Sequence, residues 1–173
     1  MTNNAISSRV ATVVAVLVLA AAAAGAGDAP TVAEQINGMQ KMCTDSAEAR
    51  SQRQAADALY NRLGGYDKIS EFTTEVVRLH NQNDAIKHMF TYVDSERLAT
   101  HVADFVAAGT GGTQTYSGRT MPASHANLEL TDADFLSAGG DIVTAMKSMG
   151  YGENEIQEIV CILVSLKDQV VLK

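Results

Sequence analysis

The sequence predicts an all-α protein, and three observations carry that expectation. Apolar residues recur at three-four spacing through most of the chain after Leu59. Glycines punctuate those segments at Gly64-Gly65, Gly111-Gly112 and Gly150, the positions where helices end. Only two prolines occur in 173 residues, which leaves room for long uninterrupted helices. Nothing alternates with period two for long enough to make a strand, and no internal repeat is visible.

The chain opens on a segment that reads as an address. Residues 1–26 carry one charged side chain, Arg9, and from Val10 to Ala26 every residue except Thr12 is apolar or small. The run is short and Ala-rich for a membrane span. It ends in Ala24-Gly25-Ala26, with small residues at the −3 and −1 positions of an export cleavage site. The reading is a signal peptide, hence an exported protein (periplasmic, secreted or in an organelle lumen). The alternative is an anchor over residues 10–26, the only way this reading brings the chain to a membrane.

Residues 27–58 form an N-terminal extension of one or two weakly amphipathic helices, with Val32, Ile36, Met39 and Cys43 as scattered apolar positions. Leu59 to Leu63 stops at the glycine pair. Asp67 is placed to cap the next helix, whose face is Ile69, Phe72, Val76, Val77 and Leu79. After a polar break at 81–84 comes a short apolar turn from Ile86 to Phe90. Asp94 or Ser95 then starts a helix with Leu98, Val102, Phe105 and Val106 on one side and His101 beside them. An irregular stretch follows, holding Tyr116, Met121 and His125. Thr131 and Asp134 resemble a capping box that opens a helix carrying Phe135, Ile142, Val143 and Met146. The last helix holds Ile156, Ile159, Val160, Leu163 and Val164.

Charge narrows the function. Thirteen Lys and Arg against 20 Asp and Glu give a net charge of −7, which argues against a nucleic-acid partner. Two cysteines make neither a dense disulfide scaffold nor a four-Cys zinc site, and neither lies in a CxxC or CxxCH pattern. In an oxidising compartment Cys43 and Cys161 could form a long-range bridge worth ~4–5 kcal/mol, or stand as two separate thiols. The Gly-rich stretch from Gly109 to Gly118 lacks the Lys-Ser/Thr of a phosphate loop, and no HExxH or Gly-x-Ser-x-Gly occurs.

Four histidines remain. His80 and His88 flank the polar break and read as solvent-facing. His101 lies on the apolar face of its helix, and His125 sits between Met121 and Leu128. A pair placed on opposite sides of a Gly-rich connection suits a haem, a flat apolar plate whose iron takes imidazole nitrogen on either face.

The order of residues then becomes recognisable. Leu59-Tyr60-Asn61-Arg62-Leu63-Gly64-Gly65, Ile86-Lys87-His88-Met89-Phe90, Gly111-Gly112 and Tyr116-Ser117-Gly118-Arg119-Thr120-Met121, closed by His125, resemble the group 1 truncated haemoglobins. These are two-over-two helical globins, and the resemblance covers residues 59–173. It implies haem b, with His125 as the proximal iron ligand. It puts Phe90 on the haem face, Phe105 and Val102 on the distal side, and Tyr116 and Met121 by the proximal rim. Arg97 stands where basic residues reach a haem propionate, or is a solvated helix charge. His101 falls where some members place a second, distal histidine ligand.

Two departures matter. The family's usual distal Tyr is here Val77, and a position often held by Gln is Leu98. Each lost donor would weaken a hydrogen-bonded gas by ~1–1.5 kcal/mol, so the pair would cost about a hundredfold if independent. Thr73 or Thr74 could replace them only with the helix rotated. The resemblance therefore implies a gas-binding haem protein, six-coordinate through His125 and His101, that redox-cycles its iron with an unidentified electron donor. It would bind O2, NO or CO, with oxygen storage less favoured than electron transfer, nitric-oxide chemistry or sensing. NO dioxygenation or a pseudo-peroxidase side activity is at most secondary. The alternative is a haem-free sensory or protein-binding module, possibly membrane-tethered.

Overall fold

A computed structural model describes residues 29–172. The expected export segment, residues 1–26, lies outside them. Among the described residues every regular element is helical, and no helix is long and apolar enough to cross a membrane.

The extension forms two helices that meet at Ser46, α1 (Val32–Asp45) and α2 (Ala47–Ala56). Thr31 starts α1 with a capping box. Its hydroxyl accepts from the Glu34 N–H, and the Glu34 carboxylate accepts from the Thr31 N–H at 2.8 Å. Ile36, Met39 and Cys43 line one stripe of α1 and are buried, and Ile36 and Met39 join the main core. The extension is thus part of the same packed body. No residue of α2 is buried, so that helix is held by polar contacts instead.

The short α3 (Leu59–Arg62) ends in Gly64 and Gly65, with φ of 90° and 77°. Side chains rarely adopt that left-handed region, which is why two glycines stand there. Gly64 is the N-cap of α4 (Gly65–Gln82), and Asp67 lies within its first turn rather than capping it. There its carboxylate still faces the positive end of the helix. A 3-10 turn spans Lys87–Phe90. Next comes α5 (Ser95–Thr110), capped by Asp94, whose carboxylate accepts from the Arg97 N–H at 3.0 Å. Within the stretch read as irregular, Met121–His125 forms a short helix, α6, started by Thr120 and carrying Pro122 in its first turn. The capping box of Thr131 and Asp134 opens α7 (Asp132–Ser148), and α8 (Glu153–Val170) closes the fold.

Packing pairs α4 with α5 and α7 with α8, while α4 also crosses α7. This is the two-over-two arrangement expected from the sequence. Helix α6 docks on α8, and α1 covers α7 and α8 from outside. Ile69, Phe72 and Val76 of α4, Val143 and Met146 of α7, and Ile156, Ile159 and Val160 of α8 fill the shared core. At ~25 cal/mol per Å2 of apolar surface, each fully buried Ile, Phe or Met contributes about 1.5–3 kcal/mol.

Candidate functional site

The burial pattern of α5 is inverted relative to an ordinary amphipathic helix. Its buried residues are small: Ala99, Ala103 and Ala107, the last two at 0 % exposure, and Thr110 at its end. Small side chains let α5 approach α4 closely, and the Thr73 hydroxyl of α4 crosses the contact to donate to the Ala99 carbonyl at 3.0 Å. The larger Leu98, His101, Val102 and Phe105 are only half-buried and stand apart from the main core, which Val106 joins. Large apolar groups that remain half-exposed on an otherwise well-packed helix mark a face prepared for something else.

The opposing elements carry the same signature. Met121, His125 and Leu128 on and after α6, and Tyr116 before it, are all half-buried. Phe105 and Tyr116 are brought together, ring centroids 5.3 Å apart and nearly perpendicular, an edge-to-face geometry. Tyr116 donates its hydroxyl to the Arg119 carbonyl at 2.7 Å. Its ring lies so close to Gly118 that a Cβ there would meet ring atoms at 2.4 Å. The spacing Tyr-x-Gly-Arg is therefore a packed loop that delivers the chain to Thr120 and α6.

The two histidines differ in how they are held. His125 Nδ1 lies 2.8 Å from the Met121 carbonyl oxygen. A carbonyl can only accept, so Nδ1 carries the proton and Nε2 presents a lone pair. That is the tautomer a metal-ligating imidazole needs, with its orientation fixed by the backbone. His101 has the opposite character, since its buried Nδ1 has no hydrogen-bond partner. An orphaned polar atom costs ~1–3 kcal/mol and calls for an explanation. Arg97 is exposed and lines an open depression with Thr100 and His101. Val77 is buried, and neither threonine near it is a spare donor. Thr73 is committed to Ala99, and Thr74 is exposed and donates to the Ser70 carbonyl.

His80 corrects the sequence reading. It is not solvent-facing but 9 % exposed, its Nδ1 2.8 Å from Asp141 Oδ2 on α7. Burial pushes its pKa below the ordinary value, against the opposing pull of Asp141. Its ring lies 5.4 Å from that of Phe90. The signal for Asp141 was present as an acidic residue inside the apolar run from Phe135 to Met146. His88 is exposed, as expected.

The comparisons with known proteins follow this geometry. The profile of a family described as bacterial-like globin matches residues 58–171. A group 1 truncated hemoglobin of Synechocystis sp. is 31% identical over 108 residues, spanning 60% of this chain and 87% of that protein. The chain is similar in structure to the truncated hemoglobin of Tetrahymena pyriformis in its Fe(III) form. The TM-score is 0.65 at 20% identity, over 68% of this chain and all of that one. It is also similar to the 2/2 hemoglobin of Synechococcus sp., solved in the cyanomet state with covalently attached heme. There the TM-score is 0.61 at 25% identity, covering 66% of this chain and 98% of that one.

Proposed function

Since the chain belongs to the bacterial-like globin family, we propose that it binds one haem b between α5 and α6 and exchanges His101 for a diatomic gas. Haem-based gas binding is the property of this family. The finer assignment, a six-coordinate site with His125 as permanent and His101 as displaceable ligand, is our reading of these residues.

The residues fit such a group. His125, its Nδ1 held by the Met121 carbonyl, and His101, its buried Nδ1 unpartnered, would hold it, amid the half-buried Leu98, Val102, Phe105 and Met121. Bound haem supplies an iron that accepts imidazole nitrogen and a diatomic gas and cycles between ferrous and ferric states.

The observation that carries the reading is the contrast between the two imidazoles. His125 is anchored through Nδ1 to the Met121 carbonyl, which holds Nε2 ready. Because the buried Nδ1 of His101 is tied to nothing, that ring can turn toward a partner and away again without breaking a protein hydrogen bond. Leu98, Val102 and Phe105 exclude water on the side of α5, Met121 and Tyr116 do so beside His125, and Phe90 closes the corner. Arg97, exposed one turn before His101, would pair with a propionate. Release of His101 calls for movement at α5, against the Thr73–Ala99 and Tyr66–Asp104 hydrogen bonds that tie that helix to α4. With Val77 and Leu98 offering no hydrogen bond, oxygen is held weakly. This supports electron transfer, nitric-oxide chemistry or sensing over storage, with an external electron donor.

The reading includes export. The bonded Cys43 and Cys161 support folding in an oxidising compartment, and residues 1–26 supply the address.

The test is the absorption spectrum of the ferrous, gas-free protein. Sharp, split visible bands are expected, collapsing to one broad band in His101→Ala. A single broad band in the parent protein would remove the six-coordinate assignment.

A further inference from the structure

We propose that Asp141 is a positioning residue for the haem, acting through His80 and Asn83 to hold Phe90 against it. The inference rests on the haem reading above.

Asp141 lies in α7, yet its partners lie in α4 and in the connection that follows. Its Oδ2 accepts from His80 Nδ1 at 2.8 Å and from Asn83 Nδ2 at 2.9 Å. Asn83 is a hub. Its side-chain amide also reaches Ser137 Oγ of α7 at 2.9 Å, and its Oδ1 accepts from the Ala85 N–H at 3.1 Å. Its main-chain carbonyl accepts from the N–H groups of Ile86 and Lys87 at 3.0 and 2.8 Å. Those bonds set the start of the 3-10 turn, and Phe90 is its last residue. The ring of Phe90 rests on that of His80, centroids 5.4 Å apart and planes inclined by 32°.

One carboxylate therefore controls both supports of Phe90: the backbone turn that carries it and the imidazole beneath it. It also fastens α4, from one helix pair, to α7, from the other, beside the corner that Phe90 closes. A carboxylate with only 18 % of its side chain exposed is costly to maintain unless it is hydrogen-bonded. Here one oxygen of Asp141 is shared by two donors, while His80 donates its Nδ1–H to it and keeps its ring face for Phe90. An apolar pair would pack as well, but it would fix neither the ring orientation nor the turn.

The experiment follows haemin leaving the ferric holoprotein for an excess of apomyoglobin, read at the Soret band. The proteins compared are the parent, Asp141→Ala, Asp141→Asn, Phe90→Ala and the double variant, with thermal unfolding of each apoprotein alongside. Asp141→Ala and Phe90→Ala should each speed release by roughly tenfold or more. The double variant should be no more than about threefold faster than Phe90→Ala alone, because both changes remove one support. Asp141→Asn keeps an acceptor oxygen and should restore release to within about threefold of the parent. If Asp141→Ala does not fold, Asn83→Ala cuts the same hub from the loop side and takes its place. Release within twofold of the parent in folded Asp141→Ala (or in Asn83→Ala in its place), or rates that simply multiply in the double variant, overturns the inference. A parent protein that takes up no haemin overturns the haem reading itself, and the inference with it.

Discussion

Cys43 of α1 and Cys161 of α8 are bonded to each other, their Cα atoms 5.4 Å apart across 118 residues of sequence. The bond staples the extension to the helix on which α6 and His125 are seated. Closing so long a loop restricts the unfolded chain, and losing it is expected to cost about 2–5 kcal/mol. Urea unfolding with and without a dithiol reductant checks this. The midpoint should fall on reduction in the parent and stay put in the Cys43→Ser, Cys161→Ser double variant.

Glu158 is expected to be the most sensitive charged residue of α8. Only 6 % of its side chain is exposed, and it receives Arg53 of α2 and Arg62 of α3 at 2.5 and 2.6 Å. Glu155 takes the other arm of Arg62 at 2.7 Å. Deleting one partner of a buried pair strands the other, so Glu158→Ala should destabilise by about 3 kcal/mol in chemical denaturation. Lys41→Ala, which breaks an exposed pair with Asp45, should change the same measurement little.

Acid should weaken the fold through His80. Its folded pKa lies below the ordinary 6.5 because burial disfavours the charged ring, with Asp141 opposing. Between the folded and unfolded values the unfolded chain binds the extra proton, so stability rises with pH across that window. It is fully present above about 6.5 and is lost progressively as pH falls toward the folded value. In His80→Gln this part of the pH dependence of the urea midpoint should vanish. An unchanged slope would assign the acid sensitivity elsewhere.

Val77→Tyr should restore a hydrogen-bond donor to the distal side. Oxygen dissociation should slow by about tenfold, the worth of one such bond. Carbon monoxide, a weaker acceptor, should change less. Val77 is buried, so the larger ring should also cost about 1–3 kcal/mol of stability. Equal slowing of both gases would indicate a packing effect instead.

The order and type of the helices were legible because the local signals agreed. Capping by Asp94 and Thr131, the glycine pair at 64–65 and the three-four face of α4 each point to one structure. The capping of α4 by Gly64 was not legible. Asp67 carries the side-chain preference, but the helix starts two residues before it, at Gly65, behind a left-handed Gly64. The family resemblance singled out His125, but its tautomer depends on a carbonyl four residues back that only the short α6 brings into reach. His80 was misread because solvent exposure was inferred from the polar residues after it. Its partner lies 61 residues away in α7, and no local pattern encodes such a contact. The cysteine pairing was equally open, since two cysteines always permit both answers.

The central claim is that His125 holds a haem in this chain, and the most direct test is a haemin titration of the purified protein. One equivalent should saturate a Soret band. His125→Gly should give a weaker, altered spectrum that added imidazole restores, because free imidazole fills the place the side chain left. Uptake that is non-saturating, or a His125→Gly spectrum indistinguishable from the parent, would contradict the account.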